Sequence, residues 1–167
     1  MSRVRQVLPR LLYSPPPPID RPDPRRVTAN ELASLIAAAD SGLSLDRWLV
    51  TSLRGVSPQM GREIAFRTAG AADAALGGLD ADGIARLARE TRGLLEPLLT
   101  SAWSPQIYRE DGEAVAYSAV PMQHLAVRLV EEPAGSISGA IEAASAMETI
   151  ATPGKHAQRR ARCLRLD

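Results

Sequence analysis

The sequence predicts a mainly α fold with a small β segment: a four-helix module built on a helix-hairpin-helix, then a β-hairpin and a short C-terminal helix. Aromatic residues are 4 % of the chain while apolar residues reach 45 %. A core made of Leu, Ile, Val and Ala suits packed helices better than a sandwich. Between Thr28 and Leu98 the apolar residues recur at helical spacing behind recognisable caps. After Trp103 the period falls to two, and Asp111-Gly112 offers a type I′ turn.

At 167 residues the chain is long enough for one domain with a real core, or for a small domain with appendages. Its net charge of +1 provides no strong overall field, so any nucleic-acid binding must come from local clusters. Cys163 is alone, and His124 and His156 have no Cys or carboxylate at metal-ligand spacing. No intramolecular disulfide, zinc cluster or cofactor is expected. No apolar run approaches a membrane span and no export signal is visible, so the expected location is the cytoplasm.

Residues 1–26 read as an extended linker, because Pro15 to Pro18 cannot join a helix interior or a central strand. The helix-hairpin-helix module is expected over residues 27–102. Thr28 and Glu31 form a capping box ahead of Leu32, Leu35, Ile36 and Ala39. Ser44 caps a short second helix that faces inward through Leu45, Trp48, Leu49 and Leu53. That helix runs into Leu53 to Ile64 and stops at Gly55. Ser57 then caps a third helix, with Pro58 at the first position, where a missing N–H costs nothing. Gly61, Ile64, Ala65 and Thr68 form its inward stripe, and Gly70 ends it.

Asp80 or Asp82 starts a longer helix with Ile84, Leu87, Ala88, Thr91, Leu94, Leu95 and Leu98 on one face, its last turn kinked by Pro97. Arg86, Arg89 and Arg92 on the other face read as a solvated stripe or a nucleic-acid stripe. Residues 103–132 form the β segment: a hairpin around Asp111-Gly112, with Val115, Tyr117 and Ala119 facing inward, and a further strand over Leu125 to Val130. So small a sheet leaves unpaired edges, which points to self-association or to a larger assembly. Residues 133–152 form a last helix opened by Ser136, with Ile137, Ala140, Ile141, Ala144 and Met147 as its stripe. Residues 153–167 are a basic tail with five positive side chains.

The tight turn between the second and third helices is the candidate site. A helix N-terminus offers free N–H groups and a favourable dipole to an anion such as phosphate. Arg54 and Arg62 flank the turn, and the backbone amides of Gly55, Ser57, Gln59 and Met60 would cradle the phosphate. An ordinary αα-turn reads the same residues as caps and packing. Ser57 also stands where many DNA-binding hairpins have a second glycine. No Ser-His-Asp, paired-carboxylate or phosphate-loop arrangement stands out, and Asp46 and Glu63 read as surface or cap-supporting carboxylates. The chain is expected not to be an enzyme.

Three ordered stretches resemble the central part of the NFACT family. They are Val7-Leu-Pro9 with Tyr13 and Pro15-Pro16, then Arg54-Gly-Val-Ser-Pro58 with Arg62-Glu-Ile64, then Pro105-Gln-Ile-Tyr108 through Tyr117-Ser118 and Pro121 to His124-Leu125. The bacterial members are called RqcH, or by an older label fibronectin-binding protein A. The resemblance implies a role in ribosome-associated quality control, with tRNA and the large ribosomal subunit as partners. Full-length members promote alanine tailing of a stalled chain, while the ribosome forms the bonds. The family's first β lobe, with its Asp-Arg pair, would precede Val4; a coiled coil and an RNA-binding domain would follow about residue 145. The chain therefore reads as a piece that keeps the helical module and lacks tailing activity. Asp20-Arg21 and Asp46-Arg47 lie outside that lobe and take no such role. A protein-interaction scaffold without nucleic-acid contact is the alternative reading, and a fibronectin adhesin is a remoter one.

Overall fold

The structure, a computed structural model, describes residues 20–151, with side chains to residue 145. The proline run, most of the linker, the side chain of Met147 and the basic tail lie outside the described residues.

Helix α1 (Ala29–Ala37) starts at the expected capping box: Thr28 Oγ1 accepts from the Glu31 amide at 3.2 Å, and Glu31 Oε2 accepts from the Thr28 amide at 2.8 Å. Helix α2 (Leu45–Ser52) follows Ser44, whose hydroxyl makes no capping bond. Its start is fixed instead by backbone: the Leu45 amide donates to Ala74 O, and the Leu76 amide to Leu43 O. Helix α3 (Pro58–Ala69) ends on Gly70 at φ +77°, a conformation glycine adopts without cost. After a 3-10 turn at Leu76–Gly78, Asp80 caps helix α4 (Ala81–Leu95) by accepting from the Gly83 amide at 2.8 Å.

Pro97 cannot donate to the helical ladder, and the helix restarts there as the short α5 (Pro97–Thr100). The offset turns Leu98 outward, 55 % exposed, against the inward position expected for it. Helices α1 to α4 enclose one core around Leu32, Leu45, Leu49, Leu53, Ile64 and Leu87. At the closest point between α2 and α3, a Cβ on Gly61 would stand 2.8 Å from the Asp46 carbonyl oxygen. Only a residue without a side chain lets the two backbones meet that way. The α4 arginines are engaged: Arg86 donates across to Thr68 O on α3, Arg92 to Ala88 O and Arg89 to Glu90.

Strands β1 (Gln106–Glu110) and β2 (Glu113–Ser118) form the expected hairpin, with Asp111 and Gly112 both at positive φ as a type I′ turn requires. The further strand is displaced from its expected place. Residues within Leu125 to Val130 form a short helix α6 (Gln123–Ala126) instead, and strand β3 is Val130–Pro133. The antiparallel sheet has the order β2-β1-β3, so β2 and β3 are both edges, as a marginal sheet implies.

Helix α7 (Ile137–Ala151) packs on the sheet. Its inward residues are Ala140, Ala143 and Ala144, while Ile137 and Ile141 turn outward. Small residues on α7 call for small residues on β2. Ala114 and Ser118 are therefore buried, and Val115 and Tyr117, expected inside, are 50 % and 41 % exposed. An irregularity in register between Tyr108 and Arg109 leaves Val115 without a partner, while the alternation along β2 holds in the opposite phase to the expected one. Among the described residues no helix is long and apolar enough to cross a membrane.

Candidate nucleic-acid interface

The turn between α2 and α3 is open to solvent. Leu53 and Val56 are buried and anchor it, while Arg54, Gly55, Ser57 and Pro58 are exposed. Gly55 holds φ +74°, which allows the reversal. Ser57 Oγ accepts from the Met60 amide at 3.3 Å, and Ser57 O accepts from the Gly61 amide at 2.8 Å. The Met60 amide is thus occupied, and its side chain packs against the core. Pro58 has no amide to offer. The amides of Gly55, Ser57 and Gln59 have no acceptor among the described residues. Gln59 is half-buried and its side chain reaches Tyr117 O at 3.5 Å, which ties the turn to β2.

The flanking arginines have different partners. Arg54 Nη2 lies 3.2 Å from Asp23 Oδ2, and its amide donates to Pro22 O, so it fastens the incoming chain to the turn. Asp23 is held far below the usual carboxylate range, first by hydrogen bonds from Arg25 and then by the charges of Arg25 and Arg54. Arg62, 63 % exposed, stands 3.9 Å from Asp46 Oδ2 and is the freer of the two. Asp46 Oδ1 is enclosed and has no partner among the described residues.

Arg62 also lines a cleft of about 900 Å³ between the helical module and the sheet. Arg47 of α2 and Arg128, just past α6, line the same cleft, with Leu125, Val115 and Ala116 as apolar surface. Asp46, Asp73 and Glu110 line it too, so its charges balance. Arg54 does not reach it. The sequence drew both arginines to one spot, and the structure divides them.

One wall of the cleft is set by a carboxylate read from the sequence as surface or cap-supporting; it is buried, and it supports the start of α6. Glu63 on α3 is fully buried. Its Oε1 accepts from the Gln123 amide at 2.9 Å and from Arg67 Nε, and its Oε2 accepts from the His124 amide at 3.0 Å. Oε2 also meets His124 Nδ1 at 2.7 Å. Burial pushes the Glu63 carboxyl up, but the backbone and side-chain hydrogen bonds from His124, with those from Gln123 and Arg67, outweigh it and hold the group below its usual value. Arg67 donates further to Pro121 O at 2.8 Å. From the sheet side, Tyr108 accepts from the Met122 amide at 2.6 Å and donates to Glu131 at 3.0 Å. Its hydroxyl is pushed up, first by burial.

Residues 121–124 are thereby clamped between α3 and β1. That clamp starts α6 at Gln123 and displaces the expected strand. The Glu63–Arg67 spacing of i, i+4 was the local signal for an engaged carboxylate. Its partner His124 carried no signal of its own.

The sequence matches a family model described as NFACT N-terminal and middle domains over residues 1–144. No curated protein matches it.

Proposed function

The chain belongs to the NFACT family, and on that premise we propose that its helix-hairpin-helix module is a non-catalytic RNA-binding element that contacts tRNA or the large ribosomal subunit. The observation that carries the reading is the exposed turn, where the amides of Gly55, Ser57 and Gln59 lack acceptors and Arg62 projects into solvent. Amides at a helix start favour phosphate. Contacts of this kind position a backbone without reading its sequence, and they weaken steeply with salt.

Filter binding of labelled tRNA to the purified chain at low and moderate salt tests the reading. Arg54→Ala with Arg62→Ala should lower affinity at unchanged helix content, and flatten the slope of log K against log salt by about 0.7–0.9 per lost phosphate contact. Equal, negligible retention at both salts would leave the scaffold reading instead. That alternative draws on the Arg54–Asp23 pair, which already gives one of the two arginines a structural partner. Ribosome-associated quality control is the cellular setting this reading implies.

A further inference from the structure

We infer that the cleft between the helical module and the sheet holds one ribonucleotide unit of a bound RNA, with His124 accepting a hydrogen bond from its 2′-hydroxyl. This role rests on the RNA-binding reading above and adds a place and a chemical group to it.

A neutral imidazole has one donor nitrogen and one acceptor nitrogen, and the bond made by the first decides the second. Glu63, held ionised, can only accept, so Nδ1 of His124 carries the proton across the 2.7 Å contact. In the neutral ring Nε2 is then the acceptor and the one ring nitrogen left for a ligand. The His124 amide is bound to the same carboxylate, which fixes the ring at both ends. His124 lines the cleft, and its side chain is only 8 % exposed. It therefore presents a narrow, rigid acceptor rather than a mobile one.

Around that acceptor the cleft gathers Arg47, Arg62 and Arg128 from three separate elements, suited to phosphate oxygens. Leu125, Val115 and Ala116 provide apolar contact for a base or sugar. The volume of about 900 Å³ lies in the range of small-ligand sites, roughly 300–1,000 Å³. Asp46, Asp73 and Glu110 offset the arginines, so the cleft suits one unit of a strand, with its hydroxyl donors and amines, rather than a run of phosphates. The 2′-hydroxyl is the group by which a protein separates RNA from DNA. A deoxyribose leaves Nε2 enclosed and unpaired, which costs affinity.

The test is fluorescence anisotropy of the full chain with three single-stranded probes of one sequence: ribo, deoxy and 2′-O-methyl. One hydrogen bond of ordinary strength predicts that the ribo probe binds about fivefold tighter than the other two. His124→Asn keeps an N–H donor toward Glu63 and has no atom at the Nε2 position. It should bring the ribo and deoxy affinities together, with the thermal midpoint as the check on folding. Arg47→Ala with Arg128→Ala should weaken all three probes alike.

A ribo preference that survives His124→Asn overturns the inference and leaves RNA binding standing. Equal binding of ribo and deoxy probes by the unaltered chain does the same. If His124→Asn fails to fold, the 2′-O-methyl probe on the unaltered chain decides: ribo-like binding overturns the role of His124. Binding of no probe removes the RNA reading itself.

Discussion

Within the helical module, Leu32, Leu45, Leu49, Leu53, Ile64 and Leu87 are each fully enclosed. Within the sheet and α7, the buried cluster consists of Ile107, Ala114 and Ala140. A buried Leu or Ile contributes roughly 1.5–3 kcal/mol, so the module has an apolar reserve that the sheet lacks. The sheet is held to the module chiefly by polar groups: Glu63, Arg67 and Tyr108 on the chain between Pro121 and His124. One part of the molecule is stabilised by exclusion of water, while the other is positioned by hydrogen bonds that need their partners in place. The first kind of hold tolerates change gradually; the second fails when one member is lost.

The largest expected effect is at the clamp. Glu63→Gln removes the charge that faces Arg67 and His124, and loss of one partner of a buried ionic contact costs about 3–5 kcal/mol. Hydrogen exchange should then show β1, β2 and α6 opening while α2 and α3 stay protected. Uniform opening of both parts would erase the contrast.

Acid should act on the same joint with a smaller effect. The folded Glu63 carboxyl lies below its usual value, so its contribution is fully present above the unfolded value of about 4.3. It is lost as pH falls through the lowered folded value. The sheet signals in an acid titration followed by NMR should therefore change before those of the module. Glu63→Gln should remove that early phase.

The smallest effect sharpens the comparison from the other side. Thr28→Ala deletes a helix cap, at a cost of about 1 kcal/mol. Chemical denaturation should show the loss in the module alone, with the exchange of β1 amides below global unfolding unchanged.

What the sequence disclosed follows the same division. The module was readable because its signals are local: the box at Thr28 and Glu31, the cap at Ser57, the stop at Gly70, and the 3.6-residue stripe between them. The hairpin turn at Asp111-Gly112 was readable for the same reason. Glu63, read as a surface or cap-supporting carboxylate, supports the start of α6 from a buried position, and its burial was not legible because the partners it holds there lie 60 and 61 positions away, beyond any periodicity. The strand expected over Leu125 to Val130 failed with it, since those residues obey the clamp rather than their own β propensity. Val115 and Tyr117 were turned outward by the alanines of α7, which close spacing favours over bulk. At the candidate site the exposed turn was legible, but the separation of Arg54 from Arg62 was not, because Asp23 and Asp46 determine it.

The glycine at position 61 has a mechanical corollary. With bare backbone against backbone at that crossing, no compressible side chain cushions the elbow formed by α2 and α3. The two helices therefore have little room to slide past each other there, so the turn and Arg62 on the wall of the cleft are held in one fixed relation. An alanine there would drive its Cβ against the Asp46 carbonyl, force the two helices apart at that crossing and swing the Arg62 side chain away from the Asp46 carboxylate.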